Sequence, residues 1–242
     1  MKKIINLAYC FFLIAFSNSD RFYCQTSTNT SIYDWFDNTV GKENLALNNG
    51  KLFLNYDKTL ENTNRFLFDD FKNGSVYYDG QIYNDLLLNY DIYKDELILK
   101  PNNVSEKTAI IVIKENVDYF IINKIKYMNF FQNNDDKGLN SGYWEELFFG
   151  NYIKSYTKHI KNRIDLINND KLYDDFIYSN NFAIIYKNTT YNISSKKSVT
   201  NLFPNFKKDI NEFYSTNNYL EKNDKSKFFA NLFEYINSLV KN

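Results

Sequence analysis

Apolar and polar positions alternate two by two along most of this chain, and near residue 195 the repeat lengthens to three or four. The alternation is sharpest in residues 75–100. There Leu86, Leu88, Tyr90 and Ile92 fall on one side of an extended strand, and Leu87, Asn89, Asp91 and Tyr93 on the other, because successive side chains of a strand point to opposite faces. The first side is wholly apolar or aromatic and is the expected core face. Asp79-Gly80 separates the runs 76–78 and 81–83, and Asp-Gly accepts the positive φ angles of a type I′ hairpin turn. The polar bend Lys94-Asp95-Glu96 leads to a strand over 97–99, which Pro101 ends because proline cannot donate to a ladder. Two hairpins in succession are predicted.

The same reading extends in both directions. Asn49-Gly50 is a hairpin-type turn before a strand over 51–56, residues 65–71 are an extended aromatic run, and Asn73-Gly74 turns the chain into the central hairpins. Residues 109–113 are aliphatic and β-branched, suited to a strand covered on both faces. Runs over 119–122 and 125–131 flank Asn123-Lys124, a further hairpin, and 132–142 form a polar loop. Runs over 144–149 and 152–160 pair across Gly150-Asn151, a sequence suited to a type II′ turn. Residues 182–187 and 191–194 make the last hairpin. Roughly a dozen strands at this spacing mean antiparallel sheet.

Beyond residue 195, Pro204 fits a first helical turn, where its missing N–H costs little. Phe206, Ile210, Phe213 and Tyr214 follow at helical spacing. Asp224 is a suitable N-cap for a second helix, whose broad stripe runs through Phe228, Phe229, Leu232, Phe233, Ile236, Leu239 and Val240. The expected fold class is α+β, mainly β: an antiparallel, twisted or partly closed sheet of successive hairpins with two C-terminal helices. The predicted organisation is a signal peptide over 1–24, a polar lead-in over 25–48, a β domain over 49–194 and a helical pair over 195–242 packed on the same domain.

Composition narrows the function classes. With 242 residues, 44% of them apolar and 19% aromatic, the chain can bury one sizeable core. Its formal net charge of zero gives no bulk attraction to nucleic acid. A local positive excess over 154–163 reads as a solvated strand face. Lys2 and Lys3 precede an apolar run over 4–16 broken only by Asn6. That is the pattern of a secretory signal, too short to span a bilayer, which takes about 20 residues. Cleavage is expected between Ser17 and Thr26. Phe22-Tyr23 are too bulky to make Cys24 a favourable lipidation site, and the lead-in carries one apolar cluster, Ile32, Tyr33, Trp35 and Phe36. Cys10 leaves with the signal, so the mature chain has at most Cys24 and no internal disulfide. The expected location is the periplasm or the envelope, at the outer-membrane periphery or outside the cell, with no transmembrane span once the signal is removed.

One set of motifs is distinctive: Asn49-Gly50-Lys51, then Gly74, then Val76-x-Tyr78-Asp79-Gly80-Gln81-x-Tyr83 and Tyr90-Asp91-Ile92-Tyr93. It resembles a family of exported bacterial proteins, typical of the Bacteroidota, with no assigned activity. The resemblance runs from about residue 45 onward. It implies export and a shared fold, and transfers no catalytic or binding residue.

Catalytic chemistry finds little to build on. His159 is the only histidine, which with at most one cysteine removes multi-histidine and cysteine zinc sites. No Gly-x-Ser-x-Gly elbow accompanies it. On its strand His159 shares a face with Ile153, Ser155 and Thr157, as a structural histidine would. The doublets Asp69-Asp70, Glu145-Glu146 and Asp174-Asp175 lie in expected strands, where neighbours point to opposite faces, so no doublet is by itself a carboxylate pair. Asn133-x-Asp135-x-Lys137-Gly138 imitates a calcium loop, but Lys137 occupies a ligand position and Trp144 the twelfth. No phosphate loop or dinucleotide fingerprint is present, and no cofactor is expected.

The tyrosines of the central hairpins carry the one binding hypothesis. Tyr77, Tyr78, Tyr83 and Tyr93, where exposed, would offer an aromatic platform to a glycan or an envelope partner. Cross-strand packing is the competing role. The functional expectation is a non-enzymatic exported envelope protein whose partner is an envelope protein or a small ligand. The alternatives are a periplasmic small-molecule, lipid or glycan binder and a hydrolase with dispersed carboxylates.

Overall fold

The structure, a computed structural model, describes residues 39, 45–60, 63–101, 108–130, 139 and 141–241. The expected signal peptide, Cys24, the apolar cluster of the lead-in and the calcium-like loop lie outside the described residues. Among these residues eleven strands form one antiparallel sheet, ordered β1-β5-β4-β3-β2-β6-β7-β8-β9-β10-β11. They are β1 (Lys51–Leu52), β2 (Lys72–Tyr78), β3 (Gln81–Asp91), β4 (Glu96–Lys100), β5 (Ile110–Ile111) and β6 (Val117–Ile122). Then follow β7 (Ile125–Phe130), β8 (Gly142–Phe149), β9 (Ile153–Asn168), β10 (Lys171–Tyr186) and β11 (Thr189–Ile193). Four α-helices close the chain: α1 (Lys196–Leu202), α2 (Lys207–Thr216), α3 (Asn218–Asn223) and α4 (Lys225–Val240). No helix among the described residues is long and apolar enough to cross a membrane.

The central reading holds. Asp79 and Gly80 both have positive φ (51° and 82°), as a type I′ turn requires. Leu86, Leu88, Tyr90 and Ile92 are buried, and their strand pairs with β2 on one side and β4 on the other. Asn123-Lys124 and Lys187-Asn188 also turn with positive φ throughout.

Several expectations are corrected. Asn49-Gly50 is not a hairpin turn: Ala46–Asn49 form a 3-10 turn and only Lys51–Leu52 pair, with β5. Residues 65–71 form no strand, only the isolated bridge Phe66–Asp91. Asn73-Gly74 lie inside β2, where a side chain on Gly74 would strike the Ile121 carbonyl of β6. The glycine there allows a close approach and makes no turn. Residues 109–113 reduce to the two-residue β5. Gly150 lacks the positive φ of a type II′ turn, and its N–H instead donates to the Ile153 carbonyl (2.9 Å). The helical pair is four helices, because Phe203-Pro204 and Asn217 interrupt what reads as one helical repeat. Asp224 does cap α4, accepting from the Lys227 N–H at 2.9 Å. Ser195 caps α1 through a reciprocal pair with Ser198.

Most of the core lies on one face of the sheet. Over β2–β8 that face holds Val76, Leu88, Tyr90, Phe120, Tyr127 and Tyr143. Over β9–β11 it holds Ile153, Phe182, Ile184 and Ile193, covered by the helices through Ile210, Phe228, Leu232 and Ile236. A smaller cluster on the opposite face joins Trp144, Tyr156 and Ala183. At the corner between β8 and β9, Asn237 of α4 accepts from the N–H groups of Tyr152 (3.0 Å) and Ile153 (3.1 Å).

The sheet curls until its distant parts meet. Asp95, in the β3–β4 turn, accepts from the Tyr90 hydroxyl (2.5 Å), the Tyr143 N–H (3.2 Å), Lys114 Nζ (2.7 Å) and Lys158 Nζ (2.9 Å). One carboxylate thus clasps the β3–β4 turn to the start of β8 and to Lys158 within β9.

Candidate functional site: a ribbon with one bare face

Strands β9 and β10 are far longer than their neighbours. They pair without a break from Ile153↔Tyr186 to Asn168↔Lys171, whereas β8 pairs with β9 no further than Thr157 and β11 with β10 no further than Phe182. Residues 160–178 therefore continue as a two-stranded ribbon. Asn169 and Asp170 close it, with φ of 50° and 57°, the geometry of a type I′ turn.

The register assigns the faces. Ile160, Asn162, Ile164 and Leu166 lie opposite Ser179, Ile177, Asp175 and Tyr173 on one face. His159, Lys161, Arg163 and Asp165 lie opposite Asn180, Tyr178, Phe176 and Asp174 on the other, which is the core face.

The core face of the ribbon is held from its root as far as Asp174. Phe176 is buried against the Tyr93 ring (5.4 Å between centroids). Asp174 binds the Lys58 N–H (2.8 Å) and Arg163 (2.6 Å), and its own N–H donates to the Lys58 carbonyl. Lys161 donates to the carbonyls of Asn64 and Phe66, both at 2.7 Å, and burial lowers its pKa against the pull of Asp69 and Asp91. Beside it Arg65 forms a buried pair with Asp91 at 2.6 Å, with Asp57 at 3.4 Å.

His159 is buried as well, at 7% exposed. Its Nε2 lies 2.6 Å from Glu145 Oε2 and its Nδ1 2.7 Å from the Tyr178 hydroxyl. For a neutral ring this fixes the tautomer: Nε2–H donates to the carboxylate and the phenol donates to Nδ1. An acid, an imidazole and a hydroxyl in line have the form of a nucleophile relay. Burial, and then the charge of Glu145, raise the Tyr178 pKa over the lowering effect of Asn180. The phenol stays protonated and is a donor, not a nucleophile. The relay joins β8, β9 and β10 and stiffens the ribbon where it leaves the sheet. Among the described residues no group of three or more acidic, histidine or cysteine side chains could hold a metal ion.

The other face of the ribbon is bare. Of fourteen exposed large apolar side chains among the described residues, six lie on the ribbon: Ile164, Leu166 and Ile177 on this face, and Ile167, Leu172 and Tyr178 on the core face. On the bare face Ile177 is 52% exposed, Ile164 42% and Leu166 36%. Such a concentration marks a contact surface more than chance exposure does.

The tyrosines of the sequence hypothesis are dispersed. Tyr78 and Tyr83 are buried, their rings 6.4 Å apart, with Asn116 donating to the Tyr78 hydroxyl. Tyr77 lies on the opposite face of the sheet, stacked on Tyr119 at 5.3 Å. Tyr93 alone reaches the ribbon, between Phe176 and the Arg65 guanidinium (5.2 Å). Asp69-Asp70 is in no strand, but the other two doublets behave as strand geometry demands. Glu145 faces His159 while Glu146 pairs with Lys126 on the outer face. The ribbon itself went unread in the sequence. Its signal is Asn169-Asp170 between two runs rich in isoleucine, leucine and tyrosine.

Compared with family models, curated proteins and solved structures, the chain gives no match in any of the three.

Proposed function

We propose that this chain is an exported protein of the bacterial cell envelope that works by contact and not by catalysis, gripping a protein partner with the β9–β10 ribbon. The bare apolar face of the ribbon carries this reading, because its root is fixed on one side while Ile164, Leu166 and Ile177 are left to solvent on the other. Charge favours a protein over a lipid surface or nucleic acid. Residues 160–178 hold Lys161, Arg163 and Lys171 against Asp165, Asp170, Asp174 and Asp175, a slightly acidic balance that anionic partners would resist. The charged start and short apolar run of the N-terminus support export.

The test is crosslinking in native envelopes with the wild-type chain and an Ile164→Glu, Ile177→Glu variant. The expected result is fractionation with the envelope and one dominant protein adduct that the variant loses while its melting temperature holds. Retention of the same adduct by a folded variant, or fractionation with the cytoplasm, would overturn the reading.

A further inference from the structure

A pocket of about 450 Å3 opens where β11 ends and the helices turn back over the edge of β10. That volume suits a small ligand. Its wall runs from Asn180–Phe182 of β10 through Asn192–Lys196, with Tyr214 of α2, Glu221 of α3 and Lys225 and Phe229 of α4 opposite.

The polar lining has a definite chemistry. Asn180, Asn181 and Asn192 are amides that donate and accept at once, and Ser194 and Ser195 are hydroxyls that do the same. Phe182 and Phe229 meet at 4.5 Å on its apolar side. Glu221 offsets one of the two lysines, Lys196 and Lys225, and the Lys196 ammonium is already engaged, 5.1 Å from the Tyr214 ring. A bound anion would call for unopposed cations. Groups that both give and take hydrogen bonds beside aromatic carbon instead match a sugar ring, whose hydroxyls do both and whose C–H faces are apolar.

A second observation also points to a ligand. Tyr214 is only 5% exposed, yet its hydroxyl has no hydrogen-bond partner among the described residues. Burial, and then the charge of Glu221, keep the phenol protonated, so it is a donor without an acceptor. An unmet buried donor is costly to the free protein, and an acceptor brought into the pocket would relieve it.

We propose that this pocket binds a neutral polyhydroxylated ligand, a hexose or N-acetylhexosamine unit, with Tyr214 and Asn192 among its hydrogen-bonding groups. None of Ile164, Leu166 and Ile177 lines it, so its failure would leave the ribbon reading standing.

The test titrates the full chain with glucose, N-acetylglucosamine and a tetrasaccharide of each, following Trp fluorescence and melting temperature, with phosphate and acetate as anionic controls. Trp144 borders the pocket and serves as reporter. The expected result is saturable binding of at least one sugar and none of either anion. Tyr214→Phe should keep or raise the ligand-free melting temperature and weaken binding about fivefold, the worth of roughly one hydrogen bond. Asn192→Ala, at an exposed position, should weaken it without disturbing the fold. A tetrasaccharide that binds more tightly than its monomer identifies a polymer end as the ligand, and equal affinities identify a free sugar. Absence of saturable binding by all four sugars, affinity unchanged in both variants, or tighter binding of phosphate would each overturn the proposal.

Discussion

Tyr90 of β3 and Tyr143 of β8 stand four strands apart in the order β3-β2-β6-β7-β8, yet their ring centroids are 5.7 Å apart, edge to face. In a flat sheet four spacings would separate them by about 19 Å. The difference measures the curl. Phe120 and Tyr127 fill the space between, stacked at 4.8 Å, and Asp95 holds the rim where the curl brings distant backbone together.

Asp95 makes that closure sensitive to acid. Burial alone would raise its pKa, but Lys158 and Lys114 nearby, with hydrogen bonds from Lys114 and Tyr90, outweigh it and hold the carboxyl below its ordinary value. Lys158 is itself lowered, since its burial exceeds the pull of Asp95. The depressed Asp95 value means that its contribution is complete above the unfolded value, about 3.9, and is lost as pH falls through the folded one. Thermal unfolding followed against pH should therefore show stability falling below about pH 4. Asp95→Asn should flatten that acid limb and cost about 3 kcal/mol at neutral pH, because two lysines lose their counter-charge.

Gly142→Ala should be comparably harmful. Gly142 has φ of 122°, and an added Cβ would run into the Asp95 carboxylate and the Lys158 ammonium. A loss of about 2 kcal/mol or more is expected in denaturant unfolding. Serine at Gly80, which has open space around it, should cost less, about 1 kcal/mol for its positive φ alone.

The contrast between these glycines shows what the sequence could reveal. Asp79-Gly80 announces itself because a two-residue turn is a local demand for positive φ. Gly74 and Gly142 are set by partners far along the chain, the Ile121 carbonyl and Asp95, and nothing adjacent to them in sequence says so. The core face of β3 and the change of repeat at Ser195 were legible for the same local reason. The ribbon was hidden because its apolar residues occupy both faces, so the alternation that marks a half-buried strand is blurred there. The Glu145–His159–Tyr178 line could not be read at all, since register alone brings three strands together.

The ribbon turn can be improved. Asp170 sits at φ 57° in the second central position, where glycine carries no Cβ penalty. Asp170→Gly should stabilise the tip by about 0.5 kcal/mol, seen as slower amide exchange in residues 166–173 with no change in global unfolding.

The histidine line predicts a spectroscopic signature. Nitrogen-15 spectra of the neutral ring should show Nε2 protonated and Nδ1 bare. Tyr178→Phe should shift the Nδ1 resonance and cost about 1 kcal/mol, while Tyr77→Phe, on the opposite face of the sheet, should leave the imidazole signals unmoved.

Asn237 ties α4 to the middle of the sheet. Its amide oxygen is the acceptor for two N–H groups at the β8–β9 corner, which precede it by 85 and 84 residues. A chain still emerging from a ribosome has that corner exposed but lacks the group that sets it. The long β9–β10 pair can therefore lock its angle to the sheet only after α4 has been delivered, and truncations that remove α4 should trap chains that are already largely paired but wrongly bent.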